Sequence, residues 1–329
     1  MNVIAIIAAF NEADIIGPVI THLIEEGVSV YVIDNHSSDA TAAIAAGFVG
    51  RGVIGIERFP ESVDKTRDRF DWRTLLRRKE ALAGELNGDW FLHQDADEFR
   101  ESPWPDLHLA DAIARVDAAG YNAIDFELME FPPTSDSLPS GADPRPVFRH
   151  FEPARDYNKR QVKCWKRTNP IDLVSSGGHD VQFEGRSVFP IRFLLRHYPV
   201  RSQLHGEQKV FVERKPRLAH EERVLGWHVQ YDDVSTGHRF IRDPSSLTRY
   251  DPDAARLHVL LHHRGIEELE ARVRDCEGAL AEMTRRADFI EQQLAVARGR
   301  VEGLLQSGSW RLTAPLRAVL RVLIRLRRR

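Results

Sequence analysis

VIAIIAAFNEADIIGPVITHLIEEGVSVYVID, residues 3–34, decides the fold class. It opens with an uninterrupted apolar run of strand length, Val3 to Ala9. Ile15, Ile16, Val19, Ile20, Leu23 and Ile24 then recur every three to four residues, the spacing of an amphipathic helix that ends at Gly27. A second apolar run, Val28 to Ile33, follows at once. Strand, helix and strand in so short a stretch form a β-α-β unit, and its tight spacing implies a parallel sheet covered on both faces. The pattern repeats through the polar loop Asp34 to Asp39, an alanine-rich helix over about 40–46 and a strand at 53–56. The predicted class is α/β.

Working outward, Trp72, Leu75, Leu76, Leu82 and Leu86 give residues 72–87 helical spacing, and Trp90-Phe91-Leu92 reads as a strand running into Asp95-Ala96-Asp97-Glu98. Ligands of open α/β sheets bind outside the carboxyl ends of the strands, so these carboxylates stand where chemistry is expected. Residues 123–131 suit a strand, and the Pro/Ser/Gly/Asp-rich stretch 132–146 suits a loop. Strand-like pieces follow at 160–167, 171–175 and 187–195, then a helix at 201–214; residues 216–264 show no assignable pattern.

The last third is periodic again. From Ile266 through Leu269, Val273 and Cys276 to Val301 and Leu304, apolar residues alternate steps of three and four over nearly six heptads, the seam of a self-associating coiled coil. Ser307-Gly308-Ser309 breaks the helix. Beyond it, Trp310 and a series of Leu, Ile and Val residues are interleaved with seven arginines and no acid. Such a tail suits a membrane interface, its apolar side toward lipid and its guanidinium groups among anionic headgroups. Its aliphatic content and Trp310 favour a bilayer over nucleic acid. The expected organisation is a domain over 1–215, an unassigned extension over 216–264, a coiled coil over 265–306 and a basic amphipathic helix over 309–329.

Composition bounds the rest. The 329 residues carry a net charge of -3, and with the arginine-rich tail set aside the remainder is clearly acidic. Cys164 and Cys276, far apart, argue against a disulfide framework or a cysteine zinc site and fit a reducing compartment. The apolar start lacks the basic flank of a signal peptide, and no apolar run is long enough for a conventional membrane span. A cytoplasmic protein, peripheral on the inner face of the cell membrane, is the expectation.

Two carboxylates at i and i+2 of an extended segment point to one side, so Asp95 and Asp97 are expected to reach one divalent cation, Mg2+ or Mn2+, which prefers oxygen ligands and keeps positions for substrate phosphates. Asp34 ends a buried strand, where its carboxylate is placed to accept hydrogen bonds from a nucleotide base or ribose, while Ser38 or Asp39 caps the next helix. Three ordered segments carry a resemblance: Ile7-Ala8-Ala9-Phe10-Asn11-Glu12, Val32-Ile33-Asp34-Asn35-His36-Ser37-Ser38-Asp39-Ala40-Thr41, and Trp90 to Phe99. Over about residues 3–100 the chain resembles the family 2-like glycosyltransferases of the GT-A fold, a nucleotide-diphospho-sugar transferase plan related to the Rossmann fold. It departs from many of them in having Asn35 where they have a second Asp.

The resemblance implies base recognition by Asp34, proximity of Asn11 and Glu12 to the nucleotide, and a diphosphate-bound metal on Asp95 and Asp97. Of the basic cluster Arg67, Arg69, Arg73, Arg77, Arg78 and Lys79, one is expected to pair with the pyrophosphate, and we assign Arg73. The second half of such a domain binds the acceptor and supplies a base and often a metal-ligating His. We assign His197, in Arg196-His197-Tyr198-Pro199, as third ligand. Asp180, in Ser176-Gly177-Gly178-His179-Asp180, is assigned as base, with Glu184, Asp172 and His179 as alternatives. The implied activity is inverting, metal-dependent transfer from a nucleotide-sugar to a glycan or lipid-linked acceptor in cell-envelope polysaccharide synthesis. The competing reading is a non-catalytic, membrane-tethered coiled-coil scaffold with a nucleotide-binding domain.

Overall fold

The computed structural model describes residues 1–61, 71–153, 161–216 and 234–327. The chain divides into two compact units, Met1–Arg264 and Gly265–Arg329.

The first unit begins as its sequence dictates. Strands β1 (Val3–Ala9), β2 (Ser29–Asp34), β3 (Val53–Arg58) and β4 (Trp90–Asp95) lie parallel in the order β3-β2-β1-β4, linked by helices α1 (Ile16–Glu25), α2 (Thr41–Ala46) and α3 (Trp72–Glu85). Alternation in β1 sends Val3, Ala5, Ile7 and Ala9 into one core with Val19, Ile20 and Leu23 of α1. Ile4 and Ile6 enter a second core with Leu75, Leu76 and Leu82 of α3. Both faces are buried, which is why the strand is apolar throughout. Gly27, at a φ of 76°, ends α1 in the left-handed region, and the Asp71 side chain caps α3 by accepting from the Thr74 amide at 2.9 Å. Strand order reverses between β1 and β4, which opens a crevice at their carboxyl ends.

Next come β5 (Glu98–Glu101), α4 (Leu109–Ala118), β6 (Ala123–Ile124), β7 (Phe126–Glu130), β8 (His150–Pro153), β9 (Cys164–Lys166) and β10 (Phe193–His197), then α5 (Gln203–Glu207) and β11 (Thr248–Arg249). Antiparallel β9 and β6 extend the first sheet beyond β4; a second sheet runs β11-β8-β7-β10-β5. The single strand expected over 123–131 is thus two strands in two sheets. Asp125 makes the break, its carboxylate accepting from the amides of Phe126 (3.0 Å) and Gln161 (2.8 Å) in place of a ladder.

The strand expected at 171–175 is instead a single 3-10 turn, Val174–Ser176, where the Asp172 carboxylate accepts from the Ser175 amide. Helix α5 continues into a π-helical turn, Gln208–Arg214, covering the helical stretch expected at 201–214. The described part of 216–264 also belongs to the first unit. There β11 pairs with β8, and a helix, Pro252–Leu261, buries Val259 in the core of β1 and α1.

One helix, Arg264–Gln306, makes up most of the second unit. Ser307 ends it and caps a short helix, Gly308–Leu312, followed by Ala314–Arg327. Gly278, Gly299 and Gly303 interrupt the long helix with no side chain, and a Cβ at any of them would meet nothing within 4 Å. No helix among the described residues is long and apolar enough to cross a membrane.

Truncating Ile6, fully buried against α3, leaves a cavity beneath the central strand. Ile6→Ala is expected to lower the unfolding free energy by about 2–5 kcal/mol in urea denaturation.

Candidate active site

The carboxyl ends of β1 and β2 are laced together. After β1 the chain turns at Asn11, whose φ of 54° is left-handed, a conformation Asn tolerates. Its Oδ1 accepts from the Ser38 amide at 2.8 Å, its amide donates to Ser37 Oγ at 3.1 Å, and its Nδ2 donates to Glu213 at 2.9 Å. The Glu12 amide donates to Thr41 Oγ1 at 2.8 Å and the Ala13 amide to Asp39 Oδ2 at 3.1 Å. Between these loops Asp34 is buried, its Oδ1 accepting from the Ser37 amide at 3.2 Å, with the exposed Arg58 guanidinium 3.9 Å away. Asn35 donates to the Phe59 carbonyl at 2.9 Å. Of the two candidate caps, Asp39 accepts from the Thr41 amide at 2.9 Å, at the start of α2.

Asp95 closes β4, and the chain turns at Ala96-Asp97 before β5. The alternation of an extended segment therefore does not carry over, and the two carboxylates find different partners. Asp95, its side chain 30% exposed, takes Lys163 Nζ at 3.1 Å and has His93 Nε2 at 3.7 Å. Asp97, 9% exposed, takes Lys209 Nζ at 2.9 Å, His197 Nε2 at 3.4 Å and Arg201 Nη1 at 3.8 Å. Burial pushes both carboxyls up, but the cations win and hold them well below the usual carboxylate range. Burial lowers the His197 pKa, but the Asp97 carboxylate more than offsets it, for a net upward shift.

These cations are buried and multiply bound. Lys209, on the π-helical turn, also donates to Glu12 (3.2 Å) and to the Pro199 carbonyl (2.9 Å). Arg201 bridges Glu12 at 2.5 Å and Asp14 at 2.5 Å. Glu12 is therefore a buried counter-ion that acts on Asp97 through Lys209. On the other side Lys163 donates to Glu98 at 2.8 Å, and Arg100 pairs with Glu98 at 2.6 Å. Lys79 lies beneath, donating to the Gln94 carbonyl at 2.9 Å; burial pulls its pKa down to about 8. Sequence reasoning missed Lys163, Lys209 and Arg201, and gave Glu98, named with the strand end, no role of its own. The one signal for Lys163 was a lysine between Val162 and Cys164, a cation whose burial demands an acid partner.

The glycine loop approaches the same place. Gly178, at a φ of 94°, lies so near His93 that a Cβ would come within 2.9 Å of its Nε2, and Trp72 Nε1 donates to the Gly177 carbonyl at 2.8 Å. Asp180 follows, bridged to Val162 next to Lys163, with its buried carboxylate held by Arg186 Nη1. His179 is exposed and neighbours Gln161. Arg73, half-buried in the first turn of α3, has no carboxylate partner among the described residues, whereas Arg78 is spent on Glu57 and Glu85. Arg67 and Arg69 lie outside the described residues. Glu130, half-buried, stands beside His197 across the β7/β10 pair and was not singled out in the sequence.

Asp97 and His197 thus come together, and Asp95 stands apart on Lys163. Among the described residues, Glu12, Asp14 and His205 are the ligand-type side chains whose donor atoms all lie within 4.8 Å of one another, and both carboxylates there are already bound by Arg201. The donor set of Asp95, Asp97 and His197, two carboxylates and an imidazole, nevertheless fits a hard divalent ion in its chemistry. Asp95 keeps the more open of the two carboxylates.

The Asp97 carboxyl titrates near its ordinary value of 3.8 when unfolded and well below it when folded. The folded state therefore binds fewer protons between those values, and this contribution to stability, complete above about pH 4, is lost as pH falls through the folded pKa. In urea denaturation between about pH 3 and pH 6, the stability difference between wild type and Asp97→Asn is expected to shrink as pH falls. A constant difference would show that Asp97 is not held ionised.

The sequence model of Glycosyl transferase family 2 matches residues 4–172, a stretch that contains both laced loops, Asp95 and Asp97. No curated protein matches the chain. Among solved structures, S. aureus TarS is similar over 60% of this chain and 37% of that one, at 12% identity and a TM-score of 0.37. S. aureus TarS 1-349 in complex with UDP is similar over 61% of each chain, at 12% identity and a TM-score of 0.36. This chain therefore spans less than two thirds of the length of either. With more than half of its residues inside the family match, the chain belongs to glycosyl transferase family 2.

Proposed function

We propose that this protein is an inverting glycosyltransferase that passes a sugar from a nucleotide-sugar to a glycan or lipid-linked acceptor of the cell envelope. The observation that carries the reading is the pair Asp95 and Asp97, kept ionised where the strand order reverses, with only β1 between β4 and the strand that ends at the buried Asp34. In this reading Asp34 receives the base or ribose, and the turn at Asn11 and Glu12 borders the nucleotide. Arg73 pairs with the pyrophosphate. Asp95, Asp97 and His197 would hold Mg2+ or Mn2+, which supplies positive charge against the leaving nucleoside diphosphate.

The acceptor oxygen bonds to the anomeric carbon from the face opposite the phosphate. The bond from that carbon to the phosphate oxygen breaks with its electron pair, and the hydroxyl proton passes to a carboxylate. Asp180 is our assignment for that base, kept near the site by the packing of Gly177 and Gly178 on Trp72 and His93. Lys163 and Lys209 keep the two carboxylates charged and oriented between turnovers.

The second unit supports a location. The helix Ala314–Arg327 and Trp310 leave Leu316, Leu320 and Leu323 exposed among arginines. Basic residues at an anionic surface contribute about 1 kcal/mol each, enough in sum to hold the chain on the inner face of the cell membrane. The heptad helix before it suits a homo-oligomer.

A thermal-shift series of nucleoside diphosphates and nucleotide-sugars, with and without Mn2+, tests binding class and cation together; a stabilisation that needs both is expected. Asp95→Asn and Asp97→Asn should each remove Mn2+-stimulated sugar transfer while keeping a cooperative melt. Turnover equal to wild type would exclude the assignment. Deleting residues 310–329 should release the protein from phosphatidylserine-containing liposomes in co-sedimentation, and unchanged binding would exclude the anchor.

A further inference from the structure

The long helix of the second unit leaves its apolar seam in solvent: Leu280, Met283 and Ile290 are 65%, 68% and 64% exposed. With Ile266 set at heptad position a, Val273, Leu280 and Val301 fall at a, and Leu269, Met283 and Leu304 at d. We infer that a second copy of this chain covers the seam as a parallel, in-register, two-stranded coiled coil. The inference rests on the oligomeric reading above and adds strand number and direction to it.

Strand number follows from shape. At both ends of the seam β-branched Ile266, Val273 and Val301 stand at a with Leu269 and Leu304 at d, the arrangement that packs best in two strands; the middle, with Leu280 and Leu294 at a and Ile290 at d, adds nothing to that preference. Direction follows from charge. One flank of the seam, position g, carries Arg272, Arg286 and Arg300 as its only charges; the other, position e, carries Glu270, Glu277 and Glu291 with Arg298. A parallel pair sets each g residue against the e residue of the following heptad on the other helix. Arg272 then faces Glu277 of the second copy, Arg286 faces Glu291 of the second copy, and the symmetry repeats both contacts. An antiparallel pair sets g against g and e against e, bringing arginine to arginine and glutamate to glutamate, which is unfavourable.

Within one chain Arg286 reaches Glu282, at the outward position c, at 3.3 Å, a contact exposed to water that the pair would exchange for Glu291 of the second copy. A parallel pair also sends both arginine-rich C-terminal segments off the same end, doubling the number of cations offered to one surface.

Exposed Cys276 occupies a d position and in this register faces its own counterpart, whereas Cys164 is buried. Full-length protein should have the mass of two chains by light scattering and, after mild oxidation, run as a disulfide-linked dimer on a non-reducing gel. Cys276→Ser should abolish the cross-link without changing the mass. Arg272→Glu combined with Arg286→Glu should raise the dimer dissociation constant about tenfold or more. Mixing that variant with a Glu277→Arg, Glu291→Arg chain should restore pairing as a heterodimer. A monomeric mass would overturn the inference together with the oligomeric reading; a mass of three or more chains would overturn the strand number. A two-chain particle that neither cross-links through Cys276 nor responds to the arginine reversals would overturn the parallel register and leave the oligomeric reading standing.

Discussion

Charges buried at the end of β4 must be paired, and that requirement organises the first unit. Asp95, Asp97 and Glu98 follow one another where the two sheets meet, and an unpaired carboxylate there would carry a heavy desolvation cost. Separate elements therefore each bring a cation: Lys163 beside β9, Arg100 from β5, Arg201 ahead of α5, and Lys209 from the π-helical turn. Glu12 enters from β1 as the acid that Arg201 and Lys209 share. The lacing of the β1 and β2 loops holds the turn that carries Glu12, and so ties the charge network of Asp97 to the ends of β1 and β2, while Asp95 belongs to a second network with Lys163, Glu98 and Arg100.

The parallel sheet was legible because its signal is local. Strands buried on both faces are apolar at every position, and helices between them show their three-to-four spacing within ten residues. The end of β4 was legible for the same reason. What was not legible depends on residues far apart in sequence. Asp125 lies within a stretch that alternates like a strand, and only the approach of the Gln161 amide turns it into a break between two sheets. Asp172, by contrast, converts an apparent strand into a turn locally, through the Ser175 amide three residues on, a competition that the apolar pattern hides.

The candidate site divides along the same line. Asp34, Asp95 and Asp97 could be picked out from strand ends alone. The direction of Asp95 and Asp97 could not, because it is set by Lys163 and Lys209, respectively 68 and 112 residues downstream. His197 was found as a histidine at the end of an apolar strand, but its meeting with Asp97 and its place beside Glu130 are consequences of β10 lying between β5 and β7. Lysines in helical or strand contexts read as surface, and beyond the apolar neighbours of Lys163 nothing local marks those that are buried.

The glycines of the long helix bear on how the second unit is maintained. Gly278, Gly299 and Gly303 serve no close approach, and each costs a helix about 1 kcal/mol relative to alanine. A solitary helix so composed frays readily, and one joined to a second copy does not. If the proposed pairing holds, order in this segment becomes a function of abundance: dilute chains would carry a loose helix and a single basic tail, crowded chains a stiff helix pair with two, and attraction to an anionic surface would rise more steeply than the amount of protein.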